Sequence, residues 1–422
     1  MTSETSETSE VRADERAPAP QLASPLRLPG GITLPNRLVK AAMEEQLAGR
    51  GGHPDDRLVT LYRTWDRGGV GMMLTGHVMV DRSAVAQPAD IVLDAGSDLA
   101  PFRAWAAAAE TSSFWMQLNH PGRVVRRDTG SRALAPSAVP VNVGSLSRLF
   151  PTPAPMTASD IRDAVERFAV TAALAERAGF AGVEIHAAHG YLLAQFLSPL
   201  VNKRTDQWGG SLHNRARMLL DVVTAVRARV SPGFGIAVKL NSADFQRGGF
   251  DLEDAHHVIE WLSGSADFVE LSGGSIESLA TAGHPADERT LEREAYFLEL
   301  AGELVENASV PLMLTGGIRR ARIAESVLAR GFSLVGVATA LAQQPDAPLR
   351  WLAGEDGEVA APRSALPTKS LRAAAVQAGI TARLHDLGRG RPGRTLAPAV
   401  ALMVDQHRRS RALRRYRRER SA

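Results

Sequence analysis

Short apolar segments, each bounded by glycine, proline or polar residues, recur along the middle of the chain. They are LVKAAM (38–43), GVGMMLTG (69–76), FWMQLNH (114–120), GVEIHAAH (182–189), GIAVKLN (235–241), FVELSGG (268–274), PLMLTGG (311–317) and LVGVATA (334–340). Continuous apolar runs of this length are typical of strands that are buried on both faces. The pattern therefore predicts eight buried strands.

Segments with helical periodicity alternate with these strands. The clearest covers residues 158–180, where Ser159 is predicted to cap the start of the helix and Gly179 its end. The other predicted helices span about 55–67, 98–111, 214–229, 252–263, 292–306, 319–330 and 341–353. This alternation predicts an α/β protein built as a (β/α)8 barrel. An open doubly wound sheet is the alternative, but the GxGxxG sequence that it carries after an early strand is not found.

Two connections are unusually long, from residue 121 to about 158 and from 190 to 213. Long connections in a compact domain are usually functional. In a barrel both would leave the carboxyl ends of strands, where active sites form. We therefore expect the site on that face.

The two ends of the chain differ from its middle. Residues 1–22 are polar, contain a TSE repeat and lack the apolar core of a signal peptide, so they are expected to form a disordered arm. Residues 23–353 form the predicted barrel, and residues 354–422 a linker followed by helices at 371–390 and about 395–418.

The last predicted helix is strongly basic. Residues 408–420 hold eight arginines and one glutamate, so they contribute +7 to a net charge of +3 and leave −4 for the rest. We interpret this segment as a solvated helix end rather than a nucleic-acid site, because it has one tyrosine and matches no known binding fold. Deleting residues 405–422 should then leave turnover largely intact.

Composition excludes several kinds of chemistry. The chain has no cysteine, which rules out disulfides, thiolate zinc sites and cysteine-bound iron–sulfur clusters. It has no uncharged run of 18 apolar residues, so no membrane span is predicted and a cytoplasmic location is expected. The oligomeric state stays open, with a homo-oligomer among the alternatives.

The segment HAAHGY (186–191) places two histidines and a tyrosine at the end of the fourth predicted strand. One interpretation is a metal site for a hydrolase or lyase, in which Glu184, His120 or His77 would add ligands to His186 and His189. Another is that one histidine is an ordinary core residue. Their place at the end of a barrel strand favours a functional role.

The run IHAAHGYLLAQFLSPLVNKRTDQWGGSLHNRARMLL (185–220) resembles the Old Yellow Enzyme family, in particular its bacterial NADH:flavin oxidoreductase branch. NRLVKAAM (36–43), QLNHPGR (117–123), APSAVP (135–140) and LTGGI (314–318) fit the same family in the same order, and the resemblance covers about residues 24–350. It implies a (β/α)8 barrel that binds FMN and uses NADH or NADPH to reduce the C=C bond of small α,β-unsaturated carbonyl substrates.

The resemblance also implies roles for individual residues. His186 and His189 would donate hydrogen bonds to the substrate oxygen as negative charge develops there, each worth about 3 kcal/mol. Tyr191 would protonate the α-carbon. The expected cofactor-binding residues are Ala41, Ala42 and Met43 beside the ring, Gly76 giving it room, Gln117 at its pyrimidine edge, Lys239 near N1 and O2, and Gly316, Gly317, Ala338 and Thr339 at the phosphate.

Four positions depart from the family pattern. Lys239 stands where many members have arginine, and outside a flavin site a buried lysine would need a partner. Thr339 also replaces an arginine, for which Arg319 or Arg320 would have to compensate. Glu44 occupies the place of a cysteine or threonine beside flavin O4 and N5, and Gln46 that of a substrate-contacting tyrosine.

Overall fold

The computed structural model describes residues 21–275, residue 277 and residues 298–421. Eight parallel strands form a closed barrel, each pairing with the next in sequence and the eighth with the first. The strands are β1 (Leu38–Lys40), β2 (Met72–Leu74), β3 (Ser113–Asn119), β4 (Gly182–Ala187), β5 (Gly235–Asn241), β6 (Phe268–Ser272), β7 (Leu312–Thr315) and β8 (Leu334–Val337). The predicted (β/α)8 barrel is confirmed.

Helices follow the strands on the outside of the barrel. They are α1 (Asp56–Arg67), α2 (Ala100–Ala106), α3 (Ala158–Ala178), α4 (Leu192–Leu197), α5 (Leu212–Arg229), α6 (Leu252–Leu262), α7 (Leu298–Val305), α8 (Ala321–Ala329), α9 (Thr339–Gln343) and α10 (Ala347–Leu352). The predicted helix 341–353 is thus two helices, and the predicted helix 98–111 is shorter. The start of the predicted helix 292–306 lies outside the described residues.

Helix α3 begins with a different cap from the one predicted. Thr157, not Ser159, is the N-cap residue: its hydroxyl accepts from the backbone N–H of Asp160 at 3.1 Å, and the Asp160 carboxylate accepts from the N–H of Thr157 at 2.9 Å. This reciprocal pair satisfies two of the N–H groups that a helix start leaves without partners. Gly179 ends the helix in the left-handed conformation, as predicted.

The barrel interior is apolar at its lower end and polar near the carboxyl ends of the strands. The apolar layer contains Val39, Met72, Leu74, Trp115, Phe268, Met313 and Leu334, all essentially fully buried. Above it lie the buried side chains of Gln117, Glu184, Lys239 and Glu270. Because buried charged groups need partners, this polar layer marks the end of the barrel where chemistry is expected.

Two further helices follow the barrel, α11 (Lys369–Leu387) and α12 (Pro398–Ser421). They pack against each other, and α11 also packs against α1 and α9. The expected solvated arginine end is found only in part. Arg411, Arg414 and Arg418 are exposed, whereas Arg409, Arg415, Arg417 and Arg420 bind loops of the barrel. The expected N-terminal arm lies outside the described residues except for 21 and 22. No helix in the described ranges is both long and apolar enough to cross a membrane.

Candidate active site

His186, His189 and Tyr191 come together at the carboxyl end of β4. The centroids of the two imidazole rings lie 5.0 Å apart with an interplanar angle of 86°, and the Tyr191 ring lies 5.1 Å from that of His186. His189 follows the strand in the left-handed region, with φ of 60°. That conformation is uncommon for a residue with a side chain, and it turns the chain so that residues three apart can share one side. The structure therefore brings together the three residues of the HAAHGY motif.

The backbone of His189 is held in this conformation by neighbouring strands. Its N–H donates to Asn241 Oδ1 at 3.2 Å, and the residue forms a β-bridge with Ser275. The ring Nε2 lies 2.8 Å from Ser272 Oγ. Strained backbone persists where the surroundings determine it in this way, and such positions cluster at functional sites.

Both imidazoles are neutral near neutral pH. Burial lowers the pKa of His186 well below its usual value, and the charges of His189, Lys239 and His77 lower it further. Burial, Lys239 and His77 lower the pKa of His189 in the same way. His186 Nδ1 accepts a hydrogen bond from the backbone N–H of Ala188 at 3.3 Å, so the single ring proton lies on Nε2. The Nε2–H of His186 can therefore donate to a ligand.

Tyr191 retains its proton. Burial raises the pKa of its hydroxyl well above the usual value, and the charges of Glu44 and Asp90 raise it further. Its backbone starts α4 as the N-cap residue. A protonated phenol at this position can act as an acid toward a group beside the two imidazoles.

A cluster of half-buried Glu44 with buried His77 and Asp90 lies next to Tyr191. These residues offer oxygen and nitrogen atoms within 4.8 Å of one another, and His77 Nε2 lies 3.4 Å from Asp90 Oδ1. The His77 ring contacts the Tyr191 ring edge-on at 5.6 Å. Burial lowers the pKa of His77, but the ion pair with Asp90 outweighs it and raises the pKa to about 9. Burial raises the pKa of Glu44 to about 7 against the opposing charge of His77.

Asp90 was missed by the sequence analysis, and His77 was considered only as a metal ligand. Both lie near an additional pair of short strands, Val78–Met79 and Ile91–Val92, that the apolar pattern does not separate from the surrounding loop. No local signal marks Asp90, because its proximity to His77 arises from this pairing.

Lys239 and Glu270 form an ion pair inside the barrel, with Lys239 Nζ 2.6 Å from Glu270 Oε1. The two residues are directly opposite in the register of β5 and β6. Beside them, Gln117 Nε2 donates to Glu184 Oε2 at 2.6 Å. Burial raises the pKa of Glu184 well above its usual value, and the neighbouring Glu270 adds to this. Burial also acts to raise the pKa of Glu270, but Lys239 outweighs it and holds that pKa below its usual value.

One lysine thus balances one carboxylate, Glu270, while burial favours the protonated form of Glu184. The buried lysine has the partner that an internal cation requires. The positive charge of Lys239 is therefore already paired with the carboxylate of Glu270.

The segment after β1 carries four of the expected site residues and Gln46. Ala41 is buried, Ala42 and Met43 are half-buried, and Gln46 Nε2 donates to Glu44 Oε1 at 3.0 Å. Gly76 N–H donates to Glu45 Oε1 at 3.1 Å, and any side chain at position 76 would overlap the Glu45 carboxylate and the carbonyl oxygen of Met43. Gly76 therefore makes room for the segment after β1, and its predicted place beside the cofactor ring stays a prediction.

Gly316 and Gly317 follow β7, and Ala338 and Thr339 lie at the start of α9. Gly317 has φ of 70°, which a residue with a side chain rarely adopts. Arg319 and Arg320 each lie 2.6 Å from the Glu358 carboxylate. The two arginines predicted to compensate for Thr339 therefore share one carboxylate, Glu358, and their role at the phosphate stays a prediction.

The metal interpretation of the two histidines has no support in the described part of the chain. The groups of three or more potential ligands there are Glu44, His77 and Asp90, and, on α6, His256, His257 and Glu260. Neither group contains His186 or His189. Of the further ligands considered, Glu184 accepts from Gln117 and His120 Nδ1 accepts from the backbone N–H of Gly122 at 3.0 Å.

The chemistry of this set of residues fits a flavin. The amide of Gln117 both donates and accepts, as the alternating pyrimidine edge requires. Gly317 adopts the left-handed conformation after strand 7, and backbone N–H groups at the ends of barrel strands 7 and 8 commonly bind phosphate. The buried Lys239 supplies a cation beside Glu184, whose protonated form is favoured by burial.

The structure is a closed parallel barrel with the protonated Tyr191 and the neutral imidazoles of His186 and His189 at the carboxyl ends of its strands. This arrangement is typical of barrel enzymes. A model of the "NADH:flavin oxidoreductase / NADH oxidase family" matches residues 21–355, and the chain belongs to this family. The chain is therefore an oxidoreductase.

Individual relatives agree with the family match. An "NADH-dependent flavin oxidoreductase iliE" of Neonectria sp. (strain DH2) is 40% identical over 342 residues, which cover 74% of this chain and 44% of that protein. Its namesake in Hypocrea jecorina (strain QM6a) is 37% identical over 345 residues, covering 76% and 86%. The chain thus spans less than half the length of the first of these relatives.

Among solved structures, the old yellow enzyme homologue from Zymomonas mobilis superimposes with a TM-score of 0.69 at 23% identity, covering 80% of this chain and 94% of that one. At this identity the likeness establishes the fold. The predicted resemblance to Old Yellow Enzyme is confirmed, and family membership implies FMN as cofactor and NADH as reductant. The assignment to a bacterial branch stays a prediction.

Proposed function

We propose that the chain is an FMN-dependent ene-reductase that uses NADH or NADPH to reduce the C=C bond of small α,β-unsaturated carbonyl compounds. The observation that carries this proposal is the pair of neutral, perpendicular imidazoles of His186 and His189 with protonated Tyr191 beside them. The proposed roles of the individual site residues, and the division into a barrel (23–353) and an appendage (354–422), belong to the same proposal.

The cofactor would be held by residues from several strands. They are Ala41, Ala42, Met43 and Glu44 after β1, Gly76 after β2, Gln117 on β3, His186 on β4, Lys239 on β5, and Gly316, Gly317, Ala338 and Thr339 after β7 and β8. Bound FMN would supply the hydride, taken from the nicotinamide, that reaches the β-carbon of the substrate. Lys239 would favour negative charge on the reduced cofactor. Because Lys239 is paired with Glu270, it is not an unpaired buried cation when the cofactor is absent.

The two imidazoles would bind the carbonyl oxygen of the substrate. Negative charge develops on that oxygen as hydride reaches the β-carbon, and preorganised N–H donors stabilise it more in this state than in the ground state. The Nε2–H of His186 is oriented by the hydrogen bond at Nδ1. The Nε2 of His189 is bonded to Ser272 Oγ, so His189 would donate through Nδ1–H, with the Ser272 hydroxyl donating to Nε2. Because both rings are neutral, they donate without adding a net charge to the buried site.

Tyr191 would then protonate the α-carbon. One hydride and one proton convert the C=C bond to a single bond, so the reaction is balanced when the phenol gives up one proton. The pKa of Tyr191 is raised by burial and by Glu44 and Asp90, so the proton is present at the start of each turnover. Glu44, with a pKa of about 7, and the His77 imidazolium lie close enough to return a proton to this part of the site.

The proposal is tested by a visible spectrum of the purified protein, an FMN titration, and anaerobic reduction with NADH and with NADPH. Reoxidation would then be followed with a panel of enones, nitro compounds and oxygen. We expect FMN binding, reduction by at least one nicotinamide and rapid reoxidation by enones. A protein that takes up no FMN would overturn the cofactor assignment, and reoxidation by oxygen but by no enone would overturn the ene-reductase assignment.

A further inference from the structure

The C-terminal helices contact the face of the barrel that carries the proposed site. The family match ends at residue 355, so α11 and α12 lie beyond it. Two segments on this face bind them: residues 44–52, which follow β1, and residues 126–131, which follow β3. The first segment includes Glu44 and Gln46.

The segment after β1 is bound by both helices at three backbone positions. His385 Nε2 on α11 lies 3.2 Å from the carbonyl oxygen of Glu45, in a buried contact. Arg415 on α12 donates to the carbonyl oxygen of Ala48 at 2.7 Å, and the Gly51 N–H donates to the Glu419 carboxylate at 3.2 Å. These contacts fix the backbone of the segment that positions Glu44.

The segment after β3 is bound by the same helix. Arg409 makes two hydrogen bonds to the Asp128 carboxylate, at 2.7 and 2.8 Å. Arg417 donates to the Asp128 carbonyl oxygen at 2.7 Å, and Arg420 to that of Thr129 at 3.2 Å. A bidentate pair between arginine and carboxylate fixes geometry as well as contributing energy. Helix α12 therefore joins two segments that are otherwise separated by β2 and α2.

Tyr416 on α12 and Tyr191 in the proposed site contact the same apolar cluster. This buried cluster consists of Met79, Val85, Ala86 and Val92. The Tyr416 hydroxyl lies 3.4 Å from Ser131 Oγ. The two tyrosines thus contact one apolar cluster; Tyr191 belongs to the barrel and Tyr416 to the C-terminal helices.

We propose that α12 is a fixed wall of the substrate site: it holds the segments after β1 and β3 in place, and Tyr416 limits the size of the acceptor that fits beside Tyr191. This rests on the proposed ene-reductase function. The arginines of α12 that bind Asp128, Thr129 and Ala48 donate their hydrogen bonds within the chain. Deletion of residues 405–422 is therefore expected to change which substrates are reduced, instead of leaving turnover largely intact.

The specificity part is tested with Tyr416→Ala, with Tyr416→Phe as the conservative variant and Arg411→Ala, at an exposed position of α12, as the control. The kcat and KM are measured for cyclohex-2-enone and for a 3-aryl derivative of it. We expect Tyr416→Ala to raise the ratio of kcat/KM for the bulky over the small enone about tenfold, the range that apolar pocket contacts discriminate. Tyr416→Phe and Arg411→Ala should keep the wild-type ratio. An unchanged ratio in Tyr416→Ala overturns this part.

The positioning part is tested without turnover, by hydrogen exchange of the FMN-loaded protein. The variant Arg409→Ala/Arg415→Ala is compared with Arg411→Ala/Arg418→Ala, which removes the same charge from exposed positions. We expect faster exchange at residues 44–52 and 126–131 in the first variant only. Equal exchange in both variants overturns the positioning role. If the wild-type protein binds FMN but reduces no enone, the proposed function fails while this measurement still decides the role of α12.

Discussion

The imidazole rings of His186 and His189 lie 5.0 Å apart and nearly perpendicular, although the two residues are three positions apart at the end of a strand. Side chains three apart on a regular strand point to opposite faces. The left-handed conformation of His189 ends the strand geometry and brings the second ring beside the first. The proposed binding of one substrate oxygen by two imidazoles requires rings brought together in this way.

Replacing His186 by alanine should therefore slow substrate reduction much more than cofactor reduction. Loss of one preorganised donor to a developing oxyanion costs about 10²- to 10³-fold in rate. Stopped-flow measurement of the two half-reactions separates the steps, with His213→Ala on α5 as an exposed control. Equal slowing of both half-reactions would contradict the assigned role.

Tyr191→Phe should remove the acid while keeping the ring. The phenylalanine can still pack against His186, His77 and the apolar cluster, so the structure and FMN binding should be unchanged. Enone reduction should fall about 10²- to 10⁴-fold, as expected when a general acid is lost. Reoxidation by a quinone, which needs no proton at carbon, should change little. Enone reduction at the wild-type rate would mean that another group supplies the proton.

The apolar pattern predicted all eight strands because each is buried on both faces and reads as a continuous apolar run. His186, His189 and Tyr191 could be predicted together since they are adjacent in sequence. The partner of Lys239 could not, because Glu270 becomes its neighbour only through the register of β5 and β6. Asp90 meets His77 beside an additional strand pair, and Tyr416 meets the apolar cluster next to Tyr191 from a helix far along the chain. No local sequence pattern encodes such approaches.

Glu44 should control the flavin potential above neutral pH. Its carboxyl has a pKa raised to about 7, so it is protonated below that pH and negatively charged above it. A negative charge there disfavours an anionic reduced cofactor, so Glu44→Thr and Glu44→Gln should raise the midpoint potential at pH 8 by about 30 mV, equivalent to about 1.4 kcal/mol for two electrons. Potentiometric titration at pH 6 and pH 8 checks this. An unchanged midpoint at both values would show that Glu44 points elsewhere.

Replacing one residue of the Lys239–Glu270 pair should lower the free energy of unfolding much more than replacing both residues together. Lys239→Met leaves an ionised carboxylate without its partner inside the barrel, at a cost of about 3–5 kcal/mol in the free energy of unfolding. The double variant Lys239→Met/Glu270→Gln should recover most of that loss. Urea unfolding of the FMN-saturated proteins measures both, and Arg229→Met, which breaks an exposed pair with Glu166, should cost less than about 1 kcal/mol. Additive losses in the double variant would contradict the pairing.

His77 should make the folded protein lose stability in alkaline solution. Its pKa is raised from 6.5 to about 9 because Asp90 favours the imidazolium, so the folded state binds the proton more tightly than the unfolded state. The resulting stability is fully present below pH 6.5 and is lost as the pH rises through 9, in total about 3 kcal/mol. Unfolding by urea at pH 6 and pH 9.5 should show this loss in the wild-type protein and in His213→Gln, but not in His77→Gln. If His77→Gln lost as much stability as the wild type over that range, the imidazolium at position 77 would not be its source, and Asp90 would have to be balanced by another group.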